Sequence, residues 1–103
     1  MTTLAQALAK DARFMQVVDK TISDFSSLES HALRIMAEGC AEFLDLRYRQ
    51  QRSIKQIARQ LHRSERTLHR YVERQAHTWL YHRLVPVAPE TAFFFHANCL
   101  EEV

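Results

Sequence analysis

A single glycine, Gly39, occurs among the 103 residues of this chain. Folds built on tight β-turns, phosphate-binding loops or dinucleotide-binding loops need glycine where the backbone adopts positive φ or lies against a phosphate. The shortage of glycine therefore excludes most all-β and nucleotide-binding architectures. With 47% hydrophobic residues and a length that supports one core, the chain is predicted to form a single, mostly helical domain over 1–103.

Apolar residues recur at intervals of three and four positions along most of the chain, which is typical of amphipathic helices. The spacing predicts helices over 3–23, with a break at Asp11, and over 26–49, 54–61 and 65–84. The predicted fold class is all-α, a helical domain of about five helices.

Two segments carry the spacing of a capping box, in which a serine and a glutamate or glutamine three residues later satisfy each other's backbone donors at a helix start. They are Ser26 with Glu29 and Ser53 with Gln56. Each is predicted to begin a helix.

The C-terminal residues 85–103 have no clear period and contain two prolines, Pro86 and Pro89. They are predicted to form a short extended C-terminal tail, within which 91–96 is open to either a strand or a short helix. The predicted organisation is a helical scaffold over 1–49, a two-helix unit over 50–84 and the tail.

Charge is unevenly distributed although the formal net charge is only +2. Residues 1–46 contain four basic and seven acidic residues, and residues 86–103 contain three acidic residues and no basic one, so each segment has a net charge of −3. Residues 47–85 contain ten basic residues, nine of them arginine, against two acidic ones, a net charge of +8. This basic block predicts an anionic partner, and the arginine fork suits bidentate contacts to phosphate oxygens or guanine edges.

The segment 53–72 has the spacing of two helices that cross near a right angle and share a short turn. A small residue, Ala58, stands where the two helices would touch. Apolar residues would point into the angle from both sides: Ile54, Ile57, Leu61, Leu68 and Tyr71. The remaining positions of the second helix are then free to face outward.

This segment resembles the helix-turn-helix of bacterial transcription regulators, and most closely the fourth conserved region of sigma factors and the sigma-like regulators of phages and mobile elements. The similarity covers about 45–84 and includes Leu46-Arg47-Tyr48 ahead of the motif. The family pattern is Ile-Ala-x-x-Leu, two turn residues, Ser-x-x-Thr, an aliphatic residue and a basic helix. The chain supplies Ile57-Ala58-Arg59-Gln60-Leu61, His62-Arg63, Ser64-Glu65-Arg66-Thr67, Leu68 and Arg70.

Two turn positions depart from the family pattern. His62 stands where the family usually has glycine, so it is expected to adopt a left-handed conformation, which is less strained for histidine than for a β-branched residue. Arg63 stands where the family usually has valine or isoleucine, which predicts weaker packing of the turn.

The resemblance implies that the second helix lies with its first two turns in the major groove of double-stranded DNA. The residues implied to reach base edges are Ser64, Glu65, Arg66, His69, Arg70 and Glu73. The residues implied to contact phosphate are Arg49, Arg52, Ser53, Lys55, Thr67 and Arg74. Arg66 and Arg70, four residues apart, would each read guanine N7 and O6. Glu73 and Glu65 could accept from a cytosine amine or pair with arginine.

The implied function is sequence-specific transcription regulation without a cofactor. The alternative is a sigma-like interaction module that docks on RNA polymerase or another acidic partner and does not read DNA. Because small modules gain specificity by pairing two half-sites, a homodimer is expected. The candidate self-association surfaces are the Leu4–Ile22 face and the Phe93–Phe95 segment.

Other functional classes have little support in the sequence. His62, His69, His77 and His82 are not spaced as zinc ligands, and no carboxylate pair supports catalysis, so neither a metal site nor an enzyme is expected. Without a CxxC spacing, a secretory signal or a run of about 20 apolar residues, a cytoplasmic protein with no membrane contact is expected. The residues expected to pack in the core are Cys40, Cys99, Tyr71, Trp79 and Tyr81.

Overall fold

The computed structural model describes residues 3–26 and 39–100. In these two ranges the backbone is helical apart from short connections and contains no strand, so the all-α prediction is confirmed. The helices are α1 (Leu4–Ala9), α2 (Ala12–Ser26), α3 (residues 39–44 continued by a π-helical segment, Asp45–Arg49), α4 (Ile54–Gln60), α5 (Glu65–Thr67, a π-helical segment Leu68–Glu73, and Arg74–Leu84) and α6 (Pro89–Phe95 continued by a π-helical segment, His96–Leu100).

The predicted break at Asp11 is confirmed, and Asp11 itself is the cause. Its Oδ1 accepts a hydrogen bond from the backbone N–H of Arg13 at 2.9 Å, as an N-cap does, so a new helix begins there. Its Oδ2 accepts from the hydroxyl of Thr91 at 2.7 Å, which is the largest cause of the lowered pKa of Asp11. One carboxylate therefore starts α2 and ties it to α6.

The centre of the core is a group of aromatic rings contributed by α2, α3, α5 and α6. The ring of Phe14 lies 5.1 Å from that of Tyr48 and 5.8 Å from that of Phe95, measured between centroids. The ring of His77 lies 4.9 Å from Phe95 and 5.4 Å from Phe43. Edge-on contacts of this kind add to the burial of apolar area, so these rings hold the helices together.

Helix α5 runs through this core on a row of apolar residues spaced four apart. Leu68, Val72, Ala76, Leu80 and Leu84 are at most 7% exposed. Because a regular α-helix repeats every 3.6 residues, a strict four-residue row would drift around its surface. The wider π-helical turn over Leu68–Glu73 reduces that drift and keeps the row facing the core.

The tail is not extended, because α6 occupies Pro89–Phe95 and helical backbone continues over His96–Leu100. Of the two alternatives left open for 91–96, the short helix is the one that forms. Proline is well suited to the first helical position, and Glu90 in the first turn complements the helix dipole. Burial of Ala92 and Phe95 then fixes this helix against the core.

Three further expectations need correction. Tyr71 is 61% exposed, so it is not a core residue. Phe95 is fully buried, whereas Phe93 and Phe94 are 70% and 48% exposed, so the three phenylalanines do not form one exposed surface. The Leu4–Ile22 face is mostly used inside the chain, where its members Leu8, Phe14, Val17 and Val18 are buried, and it is therefore not available for self-association.

Other core predictions are confirmed. Cys40 is 3% exposed, and burial raises the pKa of its thiol to about 11. Trp79 and Tyr81 are half-buried and pack against the core, with the Trp79 ring 4.7 Å from that of Phe25. The capping box predicted at Ser26 and Glu29, most of the helix predicted over 26–49 and the side chain of Cys99 lie outside the described residues.

Candidate nucleic-acid interface

The start of α4 has the predicted capping box. The Ser53 hydroxyl accepts from the backbone N–H of Gln56 at 3.2 Å, and the Gln56 amide oxygen accepts from the backbone N–H of Ser53 at 3.0 Å. Ile57 and Ala58 then turn into the core, where they are 0% and 4% exposed. Helix α4 is thus fixed at its N-terminus and along one side.

The turn between α4 and α5 is closed by His62 in the left-handed conformation, with φ 56°, as predicted. The backbone N–H of His62 donates to Arg59 O at 3.2 Å, and that of Arg63 donates to Ala58 O at 2.9 Å. These two bonds are the Schellman arrangement that ends many helices, usually with glycine in the place of His62. The Arg63 side chain is exposed, so the turn gains no apolar contact from that position.

A second left-handed residue precedes α4, and the sequence analysis did not predict it. Gln51 has φ 56°, and its side-chain amide donates to the carbonyl of Tyr48 at 2.9 Å. The following N–H, from Arg52, donates to Leu46 O at 2.9 Å and closes α3. Both connections of α4 are therefore fixed turns that contain no glycine.

Helix α5 begins at Glu65, and Ser64 is its N-cap. Its hydroxyl accepts from the backbone N–H of Thr67 at 3.1 Å and donates to the Thr67 hydroxyl at 2.9 Å. Glu65 is exposed in the first turn, where a carboxylate complements the helix dipole. Ser64 and Thr67 thus have a structural task at the helix start, in addition to the DNA contacts implied for them.

Six basic side chains on and around α4 and the first half of α5 are exposed: Arg52, Lys55, Arg59, Arg63, Arg66 and Arg70. Within residues 3–26 and 39–100, none of the six forms an ion pair with a carboxylate. Four side chains of α5 line one open depression: Arg66, His69, Arg70 and Arg74. This part of the surface therefore carries a concentrated positive charge.

The side chains of Arg49 and Glu73 contact other residues of the protein. Arg49 pairs with Asp19 at 2.8 Å and with Asp45 at 3.2 Å, and these hydrogen bonds raise the pKa of its guanidinium. The Glu73 side chain is 20% exposed; one oxygen contacts His69 Nδ1, and the other lies 3.9 Å from His77 Nδ1. Both remain predicted DNA contacts, Arg49 from within an exposed ion pair and Glu73 from a largely covered position.

His77 is an important residue of this region that the sequence analysis missed. It is 2% exposed, and its Nε2 lies 2.8 Å from the hydroxyl of Tyr48. Burial, followed by the positive charges of Arg47 and His69, lowers the pKa of His77 to about 3. A neutral imidazole thus packs in the aromatic centre directly behind the basic surface.

Neither a family model, nor a curated protein, nor a solved structure matches this chain. In the described parts of the chain, no group of three or more His, Cys, Asp or Glu side chains is arranged to hold a metal ion, and no helix is long and apolar enough to cross a membrane. The candidate site is therefore defined by its own geometry and charge.

Proposed function

We propose that the chain is a sequence-specific DNA-binding transcription regulator in which α4 and α5 act as a helix-turn-helix. The observation that carries this proposal is the exposed pair Arg66 and Arg70, on the outward side of a helix whose opposite row is buried. The first half of α5 would lie in the major groove, where each arginine can form two hydrogen bonds to guanine N7 and O6.

The charge of this surface favours a DNA-binding role over that of a helix face that is simply exposed to water. Exposed cations close together repel one another, and surface helices usually relieve this repulsion with acidic residues three or four positions away. None of the six side chains forms an ion pair within the described residues, and Glu73, three positions after Arg70, contacts His69 instead. Phosphate groups would supply the missing negative charge, and release of their counterions would favour binding.

Helices α4 and α5 would have different roles, one positioning the protein on the duplex and the other recognising the base sequence. Lys55 is exposed in the first turn of α4, beside the positive end of the helix dipole, where a DNA phosphate is favoured. Arg52 precedes that turn, and the fixed turns at Gln51 and His62 hold both ends of α4. Contacts from α4 would set the position on the duplex, and contacts from α5 would select its sequence.

Selection of bound fragments from random duplex DNA at 0.1 M salt tests the proposal, followed by affinity measurements on the selected and on unrelated duplexes. We expect Arg66→Ala and Arg70→Ala each to cost about 1–3 kcal/mol on the selected duplex and to relax base preference. Lys55→Ala should weaken binding to all duplexes alike and reduce the salt slope by about one.

Lys20→Ala is the matched control, since Lys20 is an exposed lysine on α2, outside the proposed surface. It should leave both affinities unchanged. Equal losses on selected and unrelated duplexes for the two arginine variants would defeat the claim that these residues read bases.

The second proposed function is a sigma-like module that docks on RNA polymerase or another acidic partner, and one observation supports it. Four large apolar side chains in the segment 85–94 are exposed by 42–70%: Val85, Val87, Phe93 and Phe94. If these side chains lie together, they would form the kind of apolar patch that is typical of protein contacts. Absence of salt-dependent duplex binding together with retained polymerase binding would favour this function.

The same exposed residues are the remaining candidates for a homodimer contact, which would let the protein bind two half-sites. We expect sedimentation to show a dimer at micromolar concentration and Phe93→Ser to weaken it. Only monomer in the unmodified protein would contradict the dimer.

A further inference from the structure

We infer that Tyr71 contacts the DNA backbone, with its hydroxyl donating a hydrogen bond to a phosphate at one wall of the major groove. This inference rests on the proposed function. Tyr71 belongs to the first half of α5 and is 61% exposed. Within residues 3–26 and 39–100 its hydroxyl forms no hydrogen bond, so the donor is available to a ligand.

Tyr71 projects from a flank of α5, between the buried side of the helix and its arginine row. Successive residues of a helix are about a quarter of a turn apart. Leu68 and Val72 are buried and define the inward side. Arg66 and Arg70 are exposed, each half a turn from Leu68, and define the outward side. Tyr71 follows Arg70 and precedes Val72, so it is about a quarter of a turn from both sides.

The open depression on α5 supports this placement. Arginines spaced four apart line it, and so does His69, which lies about a quarter of a turn to one side of Arg70. Tyr71 is outside this lining, about a quarter of a turn to the other side. Thr67, one turn earlier on the flank of Tyr71, is itself a predicted phosphate contact. His69 and Tyr71 thus mark the two flanks of the outward surface.

The width of the major groove determines what each side of α5 meets. A helix with its side chains is about 10–12 Å across, and the major groove of B-DNA is about 12 Å wide. A helix in the groove therefore presents its outward row to the base edges and its flanks to the sugar–phosphate walls. Arg66 and Arg70 are in the outward row, so Tyr71 faces a wall. Phosphate oxygens accept hydrogen bonds, and the tyrosine hydroxyl donates one.

The loss of a tyrosine contact to phosphate can be distinguished from the loss of the other proposed contacts. A neutral hydroxyl displaces no counterion, so its removal leaves the salt slope unchanged, unlike the removal of Lys55. Phosphates are present in every sequence, so its removal weakens binding to all duplexes alike, unlike the removal of Arg66.

Tyr71→Phe removes the hydroxyl, keeps the ring and tests the inference directly. We expect affinity to fall about three- to tenfold on selected and on unrelated duplexes, with an unchanged salt slope and unchanged base preference. Tyr81→Phe is the matched control, since Tyr81 is a half-buried tyrosine in the second half of α5, and it should leave affinity unchanged. Urea unfolding should give Tyr71→Phe the stability of the unmodified protein, because Tyr71 is exposed.

The contacted phosphate can be located by replacing single phosphates of the selected duplex with uncharged methylphosphonate. At one position the replacement should weaken binding by the unmodified protein, and its effect on Tyr71→Phe should be about threefold smaller, because groups in contact are not additive.

The outcomes separate the inference from the proposed function. Equal affinities of Tyr71→Phe and the unmodified protein would overturn the inference and leave the proposed function standing. A loss confined to the selected duplex, or additive losses at every phosphate, would also overturn it, because the hydroxyl would then not donate to the backbone. Failure of the unmodified protein to enrich any duplex would contradict the proposed function and the role of Tyr71 with it.

Discussion

The first half of helix α5, up to Glu73, and its second half, from Arg74 to Leu84, bury the same side of the helix and present different chemistry elsewhere. In the first half, residues such as Arg66 and Arg70 are exposed. In the second half, even the polar His77 is buried, because rings from α3 and α6 cover it. One helix is thus packed in the core at one end and presents exposed arginines at the other.

The anchored half explains how the exposed half can be held in a fixed orientation. The buried row of α5 continues without interruption from Leu68 to Leu84. Side chains on the first half therefore need no loop to position them, which favours precise contacts to base edges. Substitutions in one half of α5 should therefore have effects different from those of substitutions in the other half.

The largest expected effect is in the anchored half. Leu80 is fully buried, so Leu80→Ala should lower the free energy of unfolding by about 2–5 kcal/mol through lost apolar contacts and the cavity left behind. Arg70→Ala, in the exposed half, should change it by at most about 0.5 kcal/mol. Urea unfolding of the two variants and the unmodified protein measures both values. Similar losses for both would contradict the division of α5.

The next largest effect on stability is expected from His77, because burial lowers its pKa to about 3. In the unfolded chain the histidine has a pKa near 6.5, whereas folding keeps the buried imidazole unprotonated down to about pH 3. The contribution of His77 to the free energy of unfolding is therefore fully present above pH 6.5 and declines as the pH falls toward 3. The decline should approach 1.4 kcal/mol per pH unit well below pH 6.5, which amounts to about 1.6 kcal/mol between pH 6.5 and 5.

Urea unfolding at pH 6.5 and pH 5 of the unmodified protein and of His77→Gln checks this prediction. The variant keeps a polar partner for Tyr48 and does not titrate, so its stability should fall less. His82→Gln changes an exposed histidine and should keep the full decline. Equal declines in the unmodified protein and His77→Gln would show that His77 is not the source.

The smallest effect is expected in the turn that leads into the exposed half. His62 has φ 56°, a conformation that costs a non-glycine residue about 1–3 kcal/mol, while glycine loses more entropy on folding. We expect His62→Gly to raise the free energy of unfolding by about 0.5 kcal/mol and His62→Val to lower it by about 1–2 kcal/mol. Thermal unfolding of both variants measures this. A valine variant as stable as the glycine variant would contradict the left-handed turn.

Local features of the fold could be predicted from the sequence because they depend on neighbouring residues. The caps at Ser53 and Ser64, the break at Asp11 and the left-handed His62 each follow from a few positions. The start of α6 had a signal too, since Pro89 and Glu90 are typical of a first helical turn. Three consecutive phenylalanines obscured it because they have no helical period.

The burial of side chains could not be predicted in the same way, since it depends on elements distant in the chain. His77 is surrounded by Tyr48 and Phe95, and Glu73 is partly covered, although histidine is seldom fully buried and glutamate is usually exposed. Tyr71 shows the opposite error, because the strict four-residue row from Leu68 to Leu84 leaves it outside. That row was the sequence signal that could have placed Tyr71 at the surface.

The most direct test of the central claim is NMR of ¹⁵N-labelled protein titrated with a duplex selected from random DNA. Changes in amide signals should concentrate at 64–70 and at the start of α4, and be small along 76–84, where one side of the helix packs in the core. If signals at 64–70 stay unchanged, or the changes centre on 85–94, the first half of α5 is not the DNA-reading surface.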